Sequence, residues 1–170
     1  DRQHWSEKDL MTRATRGLIE LTDAGCHAVR SHIDWSHGQG ASTPPLAWHV
    51  LGDLAADLCG RVVLQLAALT GVDDLADPDL AMTIAKTIAE TNGVLGTFVL
   101  DQPNRRAGIE NAFQVADKFG LALDFHVDEG LDDRLDGLEI IADIAIETRF
   151  QGPILCAHAC SLMNLNQTSL

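Results

Sequence analysis

The segment Asp124-Phe125-His126-Val127-Asp128-Glu129 sets an imidazole and two following carboxylates directly behind the apolar run 121–123 and ahead of an acidic, glycine-containing loop. An imidazole in that position can ligate a divalent ion or exchange a proton, and a carboxyl group three residues on can move a proton at the same loop entrance. In a parallel β/α architecture the loops after the strands carry the chemistry, while the opposite face holds the fold together. A lone histidine beside an apolar strand is nevertheless more often structural than a ligand. A second candidate, His158, ends a later apolar run, with Cys160 two residues beyond it. His32 and Asp34 alternate and so share a strand face, which on its own reads as a His-x-Asp metal pair.

Elements able to hold these side chains recur along the chain. Strand-like apolar runs fall at 28–33, 62–67, 94–100, 121–125 and 153–157, with starts about 27 to 34 residues apart, the length of a repeated strand-helix unit. Helical patterns lie between them at 7–24, 45–59, 80–91, 109–119 and 135–149. Asp77-Pro78 supplies a cap and a first-turn proline for the third, and Ala112, Val115, Ala116 and Phe119 make one apolar stripe on the fourth. Nearly continuous apolar strands imply a parallel sheet covered on both faces. Two architectures satisfy this pattern, a small doubly wound sheet or part of an eight-stranded barrel, and length alone prefers the first. The stretch 37–45, rich in Gly, Ser and Pro, reads as a strand-to-helix loop.

Composition narrows the partners. With 46% hydrophobic residues over 170 positions the chain can bury a core. Its 12 basic against 25 acidic residues, net −13, argue against nucleic acid and against an anionic membrane, both of which call for a basic face. No apolar run approaches the roughly 20 residues of a membrane span. The expectation is a cytoplasmic protein that handles a small molecule. Cys26, Cys59, Cys156 and Cys160 show no zinc-ribbon pairing and read as buried free thiols, with Cys160 a weaker candidate for lining a site.

Several positions match one family together. Ala28-Val29-Arg30-Ser31-His32-Ile33-Asp34, the DFHVDE segment at 124–129 and Ala157-His158-Ala159-Cys160-Ser161 resemble, in order and spacing, the second, fifth and sixth strands of the cytosine deaminase-like branch of the amidohydrolase superfamily. The likeness runs through nearly the whole chain. It implies an α/β fold, a (β/α)8 TIM-barrel-type metal-dependent hydrolase of which about five βα units are present, so that residues 1–170 form a partial barrel domain. The first-strand His-x-His pair would lie before Asp1 and the last two strands after Leu170; the segment alone would then be inactive.

The resemblance also assigns roles. His126 would be the one metal ligand within this chain, for a divalent ion such as zinc or iron; Glu129 would shuttle a proton to the ring nitrogen beside the attacked carbon; His158 would orient the attacking water or ligate a second ion. It gives no ligand at His32 or Asp34, which are therefore read as structural, as is Asp128. The reaction implied is hydrolytic loss of ammonia from an amino-substituted nitrogen heterocycle of cytosine, isocytosine, pterin or creatinine type. Cytosine-specific members carry a glutamine after the third strand, whereas this chain reads Leu69-Thr70-Gly71-Val72, which counts against cytosine itself. The tip Asp101-Gln102-Pro103-Asn104 would help select among the other rings. Trp35 and Trp48 could stack on such a ring, although core burial is the commoner use of tryptophan. A cyclic amide hydrolase of the same superfamily and a flavodoxin-like binding domain are the competing readings; a homo-oligomer stays open.

Overall fold

The computed structural model describes residues 5–35, 42–58, 60–130 and 135–164. Strands β1 (Ala28–Asp34), β2 (Val63–Gly71), β3 (Val94–Val99), β4 (Leu123–Val127) and β5 (Ile154–His158) are all parallel and pair in chain order. Helix α1 (Glu7–Asp23) precedes β1; α2 (Leu46–Asp57) joins β1 to β2; α3 (Val72–Leu75) and α4 (Pro78–Glu90) lead to β3; α5 (Arg105–Phe119) and α6 (Gly137–Thr148) make the last two crossovers. A 3-10 segment, Cys160–Asn164, follows β5. None of these helices is long and apolar enough to cross a membrane.

The strand order decides between the two architectures. A doubly wound sheet reverses its order at a switch point, and the sequence β1-β2-β3-β4-β5 has no reversal, so the flavodoxin-like alternative is excluded. The sheet also curls. Strands three places apart in a flat sheet lie about 14 Å from one another, yet Arg30 and His32 on β1 touch Asp124 on β4 at 2.7 Å and 3.1 Å. Five parallel strands bent onto their own inner face are an arc of a (β/α) barrel.

Register explains which side chains line that inner face. The pairs Arg30↔Gln65, Leu69↔Gly96, Gly96↔Asp124 and Phe98↔His126 place these residues inward. Gly96 is required there by a close approach, since a Cβ would sit 2.6 Å from the Ala68 carbonyl oxygen. The alternate residues Leu66, Ala68, Leu95, Leu123, Phe125 and Val127 face the helices and are buried. Phe113 of α5 stacks on Phe125 at 5.9 Å and meets Phe150 edge-on at 5.2 Å. Each fully buried side chain of this size contributes roughly 1.5–3 kcal/mol. Thr70 and Thr97, polar on this apolar face, are satisfied by carbonyls of the neighbouring strand: Thr70 donates to Gly96 and Thr97 donates to Thr70.

Element boundaries moved in ways that matter for the site. The fourth strand runs Leu123–Val127 rather than 121–125, so His126 stands inside the strand with its ring directed into the arc. Helix α5 begins at Arg105, four residues before the expected start, and α3 is a short helix the apolar pattern did not suggest. Asp77 caps α4 as expected, accepting from the Asp79 and Leu80 amides, with Pro78 in the first turn. Trp35 and Trp48 are core residues rather than a stacking surface: both are almost wholly buried and pack edge-on at 5.1 Å. The thiols are not uniformly buried either, since Cys26 is exposed and Cys156 and Cys160 are half-buried. Cys59 and residues 37–41 of the 37–45 loop lie outside the described residues.

Candidate active site

Two strand ends bring the candidates together. His158 Nε2 lies 3.3 Å from His126 Nδ1, with ring centroids 5.2 Å apart. The Glu129 Oε2 atom lies 3.6 Å from the same His158 nitrogen, although the Glu129 side chain is 64% exposed. The three side chains drawn from β4, its following loop and β5 thus share one mouth.

Local backbone conformation makes this convergence. His158 pairs in register with Val127, an outward residue, so simple alternation would send its ring toward the helices. Instead His158 and Ala159 adopt φ of 68° and 49°, and the left-handed turn re-aims the imidazole inward. Such a conformation costs a non-glycine residue on the order of 1–3 kcal/mol and persists only where its surroundings enforce it. Hydrogen bonds from the Ala159 amide to the Val127 carbonyl and from the Cys160 amide to the Asp128 carbonyl do so here.

Asp128 is the structural member of the motif. Its own φ is 52°, and its buried carboxylate accepts from the amides of Gly137 and Leu138 and from the Ser161 hydroxyl, at 3.0, 3.1 and 2.6 Å. It therefore caps α6 from outside that helix and ties it to both strand ends. Gly137 allows the approach, since a Cβ there would meet Asp128 Oδ1 at 2.7 Å. Asp128→Ala leaves three donors without a partner, and the expected loss is about 2–4 kcal/mol of stability, read as a lower urea midpoint, with Asp128→Asn milder.

Helix α6 is held from its other side by an ion pair. Arg105 donates through Nε and Nη2 to the two oxygens of Asp136 at 2.7 and 3.0 Å. That guanidinium hydrogen bond, outweighing partial burial, holds the Asp136 carboxyl below its ordinary value of 3.8. A depressed carboxyl favours the folded state above the ordinary value, and the contribution disappears as pH falls through the lower folded one. Asp136 is 43% exposed, so solvent screening keeps the effect small. Acid unfolding followed by circular dichroism should accordingly lose a small component below about pH 4 in Asp136→Asn.

Behind His126 lies a polar cluster that the motif did not signal. Asp124 is fully buried; its Oδ2 accepts from Arg30 Nη1 at 2.7 Å and lies 3.1 Å from His32 Nε2. His32 meets His126 edge-on with centroids 4.6 Å apart. Burial, and then the neighbouring His32, push the His126 pKa below its ordinary value, so the ring is neutral at neutral pH and carries a lone pair. His32 is thus part of the site's surroundings and not remote from it, while Asp34 is exposed at the end of β1. The sign of this cluster was present as Arg30-x-His32 and Asp124-x-His126, polar residues at every second position of otherwise apolar strands.

The donor set fits a borderline divalent ion, with a neutral imidazole at its centre, two further imidazoles beside it and His126 Nε2 and Asp124 Oδ1 buried without partners. His32, Asp124 and His126 offer ligand atoms within 4.8 Å of one another. Arg30 already neutralises Asp124, however, which favours the mouth side of His126 for a cation. In the loop after β3, the Gln102 side chain accepts from the Leu100 amide and the Asn104 amide donates to Asp73, so the tip is internally braced, while Asp101 is exposed.

No protein-family model matches the chain. It is 26% identical over 159 residues to a pterin deaminase of Rhizobium rhizogenes, covering 94% of this chain and 36% of the relative. The backbone superposes on 5-methylcytosine deaminase from Klebsiella pneumoniae with TM-scores of 0.80 and 0.78, in structures liganded with 5-fluorocytosine and phosphonocytosine respectively. Those matches cover 99% and 98% of this chain, 40% of the other, at 21% identity. The chain therefore spans about two fifths or less of the length of the proteins it matches. Over that span it is similar in sequence to the pterin deaminase and follows the backbone path of part of the 5-methylcytosine deaminase fold.

Proposed function

We propose that the protein is a metal-dependent hydrolytic deaminase of an amino-substituted nitrogen heterocycle of pterin or pyrimidine type. The observation that carries this reading is the convergence of His126, His158 and Glu129 within 3.3 and 3.6 Å contacts at adjacent strand ends of a barrel arc. Likeness to a pterin deaminase and to 5-methylcytosine deaminase favours loss of ammonia over opening of a cyclic amide.

His126 would hold the ion, as a neutral imidazole at the mouth. A divalent ion such as zinc or iron would supply Lewis acidity and lower the pKa of water toward neutrality. His158 accepts a hydrogen bond from the attacking water or donates one to it, and so fixes its direction toward the ring carbon that bears the amino group. Glu129 takes one proton from this water and delivers it to the adjacent ring nitrogen, then takes the remaining hydroxyl proton of the adduct and delivers it to the departing amine. One C–O bond forms, one C–N bond breaks, and ammonia leaves with a carbonyl in its place. Phe98, the inward neighbour of His126 in register, offers an apolar wall for a planar ring.

The test is ammonia release by the protein carrying the whole barrel, metal-stripped and then reloaded, across aminopyrimidines, pterins and creatinine. Release from at least one ring that depends on the added ion supports the reading. Ring opening without ammonia, or no turnover with any of them, rejects it.

A further inference from the structure

We infer that Arg30 decides where a divalent ion can bind in this chain: its guanidinium stands in the hollow as a built-in cation and confines an added ion to the mouth. The inference rests on the reading that the site holds such an ion. Deeper in the arc a second donor set is already assembled. His32, Asp124 and His126 bring ligand atoms within 4.8 Å of one another. Two imidazoles and a carboxylate, with water in the fourth position, are a set that zinc accepts. The Asp124 side chain is fully buried, and among the described residues its Oδ1 atom has no hydrogen-bond partner. A buried carboxylate calls for a compensating positive charge.

Arg30 supplies that charge and is fixed at two points. Its Nη1 donates to Asp124 Oδ2 at 2.7 Å, and its Nε donates to Gln65 Oε1 on β2 at 2.9 Å. Gly96, the register partner of Asp124 on β3, puts no side chain in the way. A guanidinium carries a fixed charge and has no lone pair to offer an ion. With it in place the carboxylate is neutralised, and a divalent ion against Asp124 would meet a like charge at the same group. Without it, the same three donors surround an uncompensated negative charge, which a divalent ion satisfies.

The experiment is anomalous diffraction from zinc-saturated crystals of the protein carrying the whole barrel, native and with Arg30 replaced. The native map should show no zinc bonded to Asp124. Arg30→Met should show zinc about 2.0–2.2 Å from an Asp124 oxygen, with a His32 nitrogen as a second ligand. Arg30→Gln, which keeps a polar end for Asp124 and Gln65, carries the same expectation where the methionine variant does not fold. Arg30→Lys keeps the charge without the fork and should leave Asp124 free of zinc. Zinc on Asp124 in the native or the Arg30→Lys protein overturns the inference, as do neutral variants that fold and leave Asp124 bare. Zinc on Asp124 in a neutral variant, from a protein that releases no ammonia, keeps this inference and loses the proposed activity. Ammonia release with Asp124 bare in every variant keeps the activity and loses this inference.

Discussion

His126→Ala should remove bound divalent metal and lower ammonia release by roughly a thousandfold or more, because water without an ion near it keeps a pKa some eight units higher. The ring sits between His32 at 4.6 Å and His158 at 5.2 Å, so its removal leaves a gap in an already polar cluster. His126→Gln fills more of that gap and offers no imidazole. Metal content by emission spectrometry and rate by coupled ammonia assay should therefore fall together in both variants, whatever their melting temperatures. Retention of stoichiometric metal in either would place the ion elsewhere.

Glu129→Gln should behave differently, and the contrast carries information. The side chain is 64% exposed, and its recorded contact is the 3.6 Å approach to His158, so folding and metal content should be those of the native protein. Surface replacements of this kind ordinarily change stability by less than about 0.5 kcal/mol. An amide cannot carry the proton, and kcat should drop by about 10²- to 10⁴-fold with KM little changed. A variant with native kcat would assign the proton transfer to another group.

The barrel arc was legible because parallel strands buried on both faces leave long apolar runs, and five such runs recurred at one strand-helix interval. Length alone pointed the wrong way, toward a doubly wound sheet. What removes that option is strand order, and order depends on pairing between distant segments that no local pattern encodes. The site was legible to the extent that chemistry sits in consecutive letters: His126, Asp128 and Glu129 stand within four residues, and His158 ends the next strand.

Asp124 was harder to see, although it opens the same motif. A buried carboxylate inside a strand makes sense only once its cation is known, and Arg30 is 94 residues away in sequence. His32 was hidden for the same reason, since the curl that brings β1 over to β4 is a property of the whole sheet. The inward turn of His158 depends on φ of 68°, a conformation that its residue type does not announce. Asp128 is the opposite case: its structural role was expected, and three hydrogen bonds to α6 and Ser161 account for it.

The most direct measurement is anomalous diffraction from crystals of the ion-loaded protein. The account predicts a peak about 2.0–2.2 Å from a ring nitrogen of His126, with the His158 and Glu129 side chains bordering the same cavity. A peak bound elsewhere with the His126 ring free of it, or no peak under saturating ion, would contradict it.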